Sequence, residues 1–177
     1  MQIHTIAAAA VLALSTTGAA QAAQTAKAVI APTGNHAAQG VKGELILAQD
    51  ADGVRVTGSI SGLGADSEHG FHVHEKGDCS APDGSSAGGH FNPTAQPHGN
   101  PHGEHHHAGD IPNLKAGADG VAKVDATLHG AKLDGEHGLV GRAFVVHADP
   151  DDYASQPAGN SGARIACGVI VANAAAE

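Results

Sequence analysis

Glu44-Leu45-Ile46-Leu47-Ala48 and Val54-Arg55-Val56-Thr57-Gly58-Ser59-Ile60, joined through Asp52-Gly53, decide the architecture of this chain. Val54, Val56 and Ile60 alternate with Arg55, Thr57 and Ser59, a period of two that sends apolar and polar side chains to opposite faces of a half-buried strand. Asp-Gly between two such runs is a hairpin signal, because its residues tolerate the backbone angles of tight turns. Ala122, Val124, Ala126 and Leu128 alternate in the same way, with Asp119-Gly120 ahead of them. Gly141–His147 and Ile165–Val171 are rich in Val, Ile and Ala and read as core strands. No segment carries a convincing helical period. Many short strands, together with 25 Gly and 8 Pro, predict an all-β antiparallel sandwich or flattened barrel, with which Greek-key connections are compatible.

Between Glu75 and Asn113 the strand pattern stops, and Gly, Pro, His and Asp dominate. A loop of that length inside a compact domain is disordered or functional unless something orders it. The available staples are bound metal and a bond between Cys79 and Cys167, which lie 88 positions apart. In an exported chain two cysteines most simply form one disulfide, worth roughly 4–5 kcal/mol by loop closure in the chain-entropy model.

Export is read from the start of the chain. Residues 1–26 contain no Asp, Glu, Lys or Arg, and Ile6–Leu14 is an apolar run too short to span a bilayer. Ala20-Gln21-Ala22 supplies an A-x-A cleavage site, and the usual basic start is replaced by the terminal amine and His4. The expectation is a signal peptide over residues 1–22 and one domain over 23–177, located in a periplasm. Nine Lys and Arg against 18 Asp and Glu give a net charge of −9, which excludes nucleic acid and anionic membranes as natural partners.

Fourteen histidines against three Phe, one Tyr and no Trp are the most unusual feature of the composition, and imidazole is the commonest metal ligand. His72 and His74, at i and i+2 of an extended segment, project to one face and can grip one ion. His90, His98, His107 and Asp110 lie in the long loop, and His147 ends the Val145-Val146-His147 run. Three imidazoles and a carboxylate suit tetrahedral zinc, whereas an all-nitrogen set suits copper(II). His102, His105 and His106 read as solvated loop residues, or as helping to recruit metal ions. His36, His69, His129 and His137 have no partner pattern and read as surface residues.

Four motifs then carry a resemblance: Gly-Phe-His-Val-His-Glu at 70–75, Gly-His-Phe-Asn-Pro at 89–93, His-Ala-Gly-Asp at 107–110 and Gly-Asn-Ser-Gly-Ala-Arg-Ile-Ala-Cys-Gly-Val-Ile at 159–170. From about Ala26 to Val171 the chain resembles the copper/zinc superoxide dismutase family, and the separations of 8 and 9 between His90, His98 and His107 fit its zinc loop. The resemblance implies copper on His72, His74, His90 and His147, and zinc on His90, His98, His107 and Asp110, with His90 bridging. His107 is preferred over its two neighbours because it alone begins His-x-Gly-Asp. Asp151 matches the carboxylate that links one copper histidine to one zinc histidine, here His72 and His98. Arg164 matches the arginine beside copper, and Cys79 with Cys167 the intrachain disulfide.

The implied activity is conversion of superoxide to dioxygen and hydrogen peroxide by copper redox cycling, with zinc structural. In family terms His90 and Arg164 are the catalytic side chains. The segment from His147 to Arg164 is short and carries few charges apart from Asp149, Asp151 and Asp152, so anion steering must be arranged differently from the cytosolic form. The Gly/Ser-rich stretch from Cys79 to His90 resembles bacterial periplasmic members and leaves monomer or homodimer open. The competing reading is a periplasmic copper/zinc-buffering protein without turnover, favoured only by the extra loop histidines. A copper-delivery module would be expected to have lost copper ligands, and all four are present.

Overall fold

In the computed structural model, which describes residues 24–173, the alternating runs become strands: β1 (Thr25–Pro32), β2 (Lys42–Gln49), β3 (Gly53–Ser61), β4 (Glu68–His69), β5 (Phe71–His74), β6 (Leu114–Lys115), β7 (Ala122–His129), β8 (Ala143–His147) and β9 (Arg164–Ala172). The signal-peptide reading of residues 1–22 lies outside the described residues. Helical structure among the described residues is confined to two short 3-10 segments, Gly34–Gln39 and Ser85–Ala87.

Seven strands form one antiparallel sheet in the order β5-β8-β9-β1-β2-β3-β7, and β4 pairs with β6 at its side. Sheet twist curls this ribbon on itself. Phe71 and Phe144 from one end of the order share a single buried cluster with Leu47, Val54, Val56 and Leu128 from the other. The chain crosses between the two ends after β3 and again after β7, which makes the connections Greek-key in type. With so few aromatics, Phe71 and Phe144 stack on each other inside this cluster, 5.1 Å between ring centroids.

The β2–β3 hairpin pairs Gln49 with Val54 and Lys42 with Ser61. Its turn begins earlier than Asp52-Gly53: Asp50 Oδ1 accepts the backbone N–H groups of Asp52 and Gly53, both at 2.9 Å, so an aspartate side chain closes it. Val54, Val56 and Ile60 are buried and Arg55 and Ser59 exposed, as the alternation requires.

The long loop is ordered against β5. Val73 N–H donates to Gly109 O at 2.8 Å, and Val73 O accepts Phe91 N–H at 2.8 Å, so both flanks of the loop dock on one strand. The Cys79–Cys167 disulfide ties the loop to β9. Arg142 adds a third tether, lying 3.7 Å above the Phe91 ring while donating to Glu75 O.

Candidate metal centre

Because β5 sends alternate side chains to opposite faces, His72 and His74 point away from the hydrophobic core while Phe71 and Val73 fill it. β8 pairs with β5 in register, Phe71 with Val146 and His74 with Ala143, and a register shift at Val146/His147 turns His147 beside them. The docked loop contributes His90, placed opposite His74 by an isolated bridge. Donor atoms of His72, His74, His90 and His147 all lie within 4.8 Å of one another, and those of His90, His98, His107 and Asp110 meet the same limit. The six histidines and the aspartate singled out in the sequence thus form two groups that share His90.

The outward nitrogen of each ring in the first group is already engaged. His72 Nε2 donates to Asp151 Oδ2 at 2.8 Å, His74 Nδ1 to Gly88 O at 2.9 Å and His147 Nδ1 to Gly162 O at 3.3 Å. His90 Nδ1 lies 2.9 Å from Asp110 Oδ1. These bonds fix tautomer and ring direction, leaving the inner nitrogens to a ligand. His72 Nδ1 and His90 Nε2 are buried with no hydrogen-bond partner, and buried polar atoms are seldom left so without a purpose. In the second group His98 Nδ1 is similarly unpartnered, although Asp110 Oδ2 is 3.0 Å away without hydrogen-bond alignment.

Burial sets the protonation of the first group. Desolvation, reinforced by neighbouring imidazoles, pushes His74 down to about 2, His147 to about 3 and His90 to about 4, so all three are neutral and able to bind a cation at neutral pH. His98 goes the other way. Burial works against its charge, but Asp110 and Asp151 outweigh burial and raise it to about 9. For both carboxylates desolvation is the largest opposing influence, and histidine hydrogen bonds overcome it, holding Asp110 and Asp151 well below the usual carboxylate range.

Asp151 spans the two groups: Oδ2 accepts from His72 and Oδ1 from His98 Nε2 at 3.0 Å. Its position is itself fixed by Asn113, which exchanges two backbone hydrogen bonds with residue 151 at 2.9 and 3.0 Å. Gln156 does the same for His98, at 3.0 and 2.8 Å. Gly159, at φ +65°, leaves the room this requires, since a Cβ there would collide with the Asp151 carboxylate and His98 Nε2.

Arg164 is half-buried and lines a cavity of about 350 Å³ with His74, His90, His147, Asn92 and Pro157. Nη1 donates to Gly84 O at 2.8 Å, which anchors one edge of the guanidinium. His69, read as a surface residue, is buried, bonded to Ser67 Oγ and to His147 O, both at 2.8 Å. Its phase with Phe71 and Val73 is the signal that pointed inward. His102 and His105 are exposed and stand apart from both groups.

Against known proteins, the family described as copper/zinc superoxide dismutase matches residues 41–170. Superoxide dismutase (Cu-Zn) 2 of Mesembryanthemum crystallinum is 45% identical over 156 residues, covering 81% of this chain and 94% of that protein. A solved SOD-like protein from Bacillus subtilis is 38% identical with a TM-score of 0.71, covering 81% of this chain and 96% of the other. A double mutant of that protein aligns at 39% identity, with the same TM-score and coverage of 82% and 96%.

Proposed function

The chain belongs to the copper/zinc superoxide dismutase family, and from that premise we propose that it converts two superoxide anions and two protons to dioxygen and hydrogen peroxide. Copper would be held by His72, His74, His90 and His147, and zinc by His90, His98, His107 and Asp110. When bound, copper supplies one-electron redox chemistry and zinc a redox-inert positive charge. The observation that carries this assignment is the pair of unpartnered nitrogens, His72 Nδ1 and His90 Nε2, in an all-imidazole group where His72, His74 and His147 have their outer nitrogens bonded and His90 turns Nδ1 toward the second group. An all-nitrogen set fits copper, and three imidazoles with one carboxylate fit zinc.

The side chains divide the remaining work. Arg164 keeps one donor on Gly84 and offers the rest of its fork to the cavity, where it attracts and orients a small anion. His90, with Nδ1 turned to Asp110, can hold a proton at Nε2 and give it up on the cavity side. Asp151 holds the His72 and His98 rings through one carboxylate, linking the two groups. Residues 1–22 would direct export and residues 23–177 form the mature domain, and the Cys79–Cys167 disulfide supports an oxidising, periplasm-like compartment.

Metal content and superoxide-dependent activity measured together on the mature protein test this reading. One copper and one zinc per chain are expected, with activity abolished in His147→Ala and reduced in Arg164→Ala. Full metal loading without turnover would overturn it in favour of metal buffering.

A further inference from the structure

Outside the two metal groups, the long loop and β7 face each other across a groove of about 280 Å³. Pro101, His102 and Pro112 form one wall, Thr127 and His129 the other, and Asp110 also lines the groove. His102 and His129 are exposed, and no hydrogen bond among the described residues engages a ring nitrogen of either. Asp125, beside them, is held by two hydrogen bonds from Arg55, both at 2.9 Å, so its charge is matched and its oxygens occupied. The groove therefore presents two free imidazoles, on separate elements, next to a residue of the proposed zinc group. Neither histidine is among the ligands the sequence pattern marks: His102 reads there as a solvated or metal-recruiting loop residue and His129 as a surface one.

We propose that this groove is a third, weaker binding site for a divalent transition-metal ion, held by His102 and His129, from which zinc is loaded into the His98–His107–Asp110 group. Imidazole suits zinc, the chain's net charge of −9 favours cations near its surface, and Asp110 is common to groove and zinc group. His102 also lies on the loop segment between His98 and His107, so an ion bound there sits on the segment that carries two of the ligands. The loading role rests on the proposed zinc assignment; the binding site does not.

The mature protein, already holding copper and zinc, is titrated with further zinc by calorimetry and equilibrium dialysis. One additional, weaker equivalent is expected, lost in His102→Gln and in His129→Gln and retained in His105→Gln. Zinc uptake by the metal-free protein at limiting zinc is then followed by competition with a chromophoric chelator. The double variant His102→Gln/His129→Gln is expected to load several-fold more slowly while reaching the same final zinc content and dismutase activity. Absence of the additional equivalent, its persistence in His129→Gln, or unchanged uptake in the double variant would overturn the proposal. Failure of the native protein to hold zinc at all shows directly in the starting metal content and counts against the proposed zinc assignment instead.

Discussion

His69 Nδ1 donates to the carbonyl oxygen of His147 at 2.8 Å, so a buried imidazole in β4 holds the backbone of a proposed copper ligand at the end of β8. Ser67 Oγ holds the same ring from its other nitrogen. Replacing His69 by Ala leaves a buried carbonyl without this donor, which costs about 1–3 kcal/mol. We expect that loss in denaturant unfolding of the metal-free protein, together with an altered copper electron paramagnetic resonance spectrum in the loaded one. An unchanged spectrum would mean that His69 serves the fold alone.

Asp151 accepts a hydrogen bond from one ring of each proposed group, His72 and His98. Asp151→Asn keeps the volume but replaces one acceptor oxygen by an amide donor, which then faces an imidazole N–H. Outer partners of metal-bound histidines are worth about 10–100-fold in metal affinity, and both zinc and copper affinity are expected to fall in this range. Gly159→Ala is expected to act in the same direction, because the added methyl occupies the position of the Asp151 carboxylate. Competition with chelators of known affinity reads both variants. Loss confined to zinc in Asp151→Asn would show that the His72 contact is dispensable.

The hairpins and late strands were legible because alternation with Asp-Gly or Asp-rich turns is a local signal, complete within a dozen residues. β1 escaped it: its inward positions are Ala26, Ala28 and Ile30, and alanine contributes little strand propensity or apolar contrast. The two metal groups were legible through the spacing of histidines around motifs, a pattern composition alone could not order. Asn113 and Gln156 were not, because their meaning lies in partners 38 and 58 positions away on other loops. His69 was misplaced for a related reason. Its burial follows from the strand phase shared with Phe71 and Val73, while a lone histidine without a spaced partner resembles a surface residue.

The metal-free protein should be most stable near neutral pH, with two opposing causes. His98 is raised from 6.5 to about 9, so its contribution is complete below 6.5 and is lost as pH climbs through 9. His74, His147 and His90 are lowered to between about 2 and 4 by burial; their contribution is complete above 6.5 and is lost as pH falls toward those values. Thermal unfolding across this range should therefore fall off on both sides, with the alkaline loss abolished in His98→Gln. The same asymmetry reaches binding. Zinc must displace the His98 proton, whereas copper meets His74 and His147 rings that burial already keeps neutral, so with each metal added alone to the metal-free protein at pH 7, calorimetry in buffers of different ionisation enthalpy should show more proton release with zinc than with copper. Equal release by the two metals would contradict the assignment of charge to His98.

Arg164 Nη1 donates to Gly84 O at 2.8 Å, and Gly84 lies in the segment tethered by Cys79 to Cys167 on the same strand as Arg164. The disulfide thereby ties the carbonyl that orients the guanidinium to the strand that carries it. Reduction, or Cys79→Ala/Cys167→Ala, removes the constraint on an 88-residue separation, an effect of roughly 4–5 kcal/mol in the chain-entropy model. It also frees Gly84 from Arg164 while leaving every proposed metal ligand in place. The reduced, metal-loaded protein is expected to keep its copper and zinc yet lose activity toward the level of Arg164→Ala. In Arg164→Ala itself, reduction should lower stability with little further loss of activity. A double-mutant cycle of activity on these four forms checks the coupling, and additive effects would separate the disulfide from the placement of Arg164.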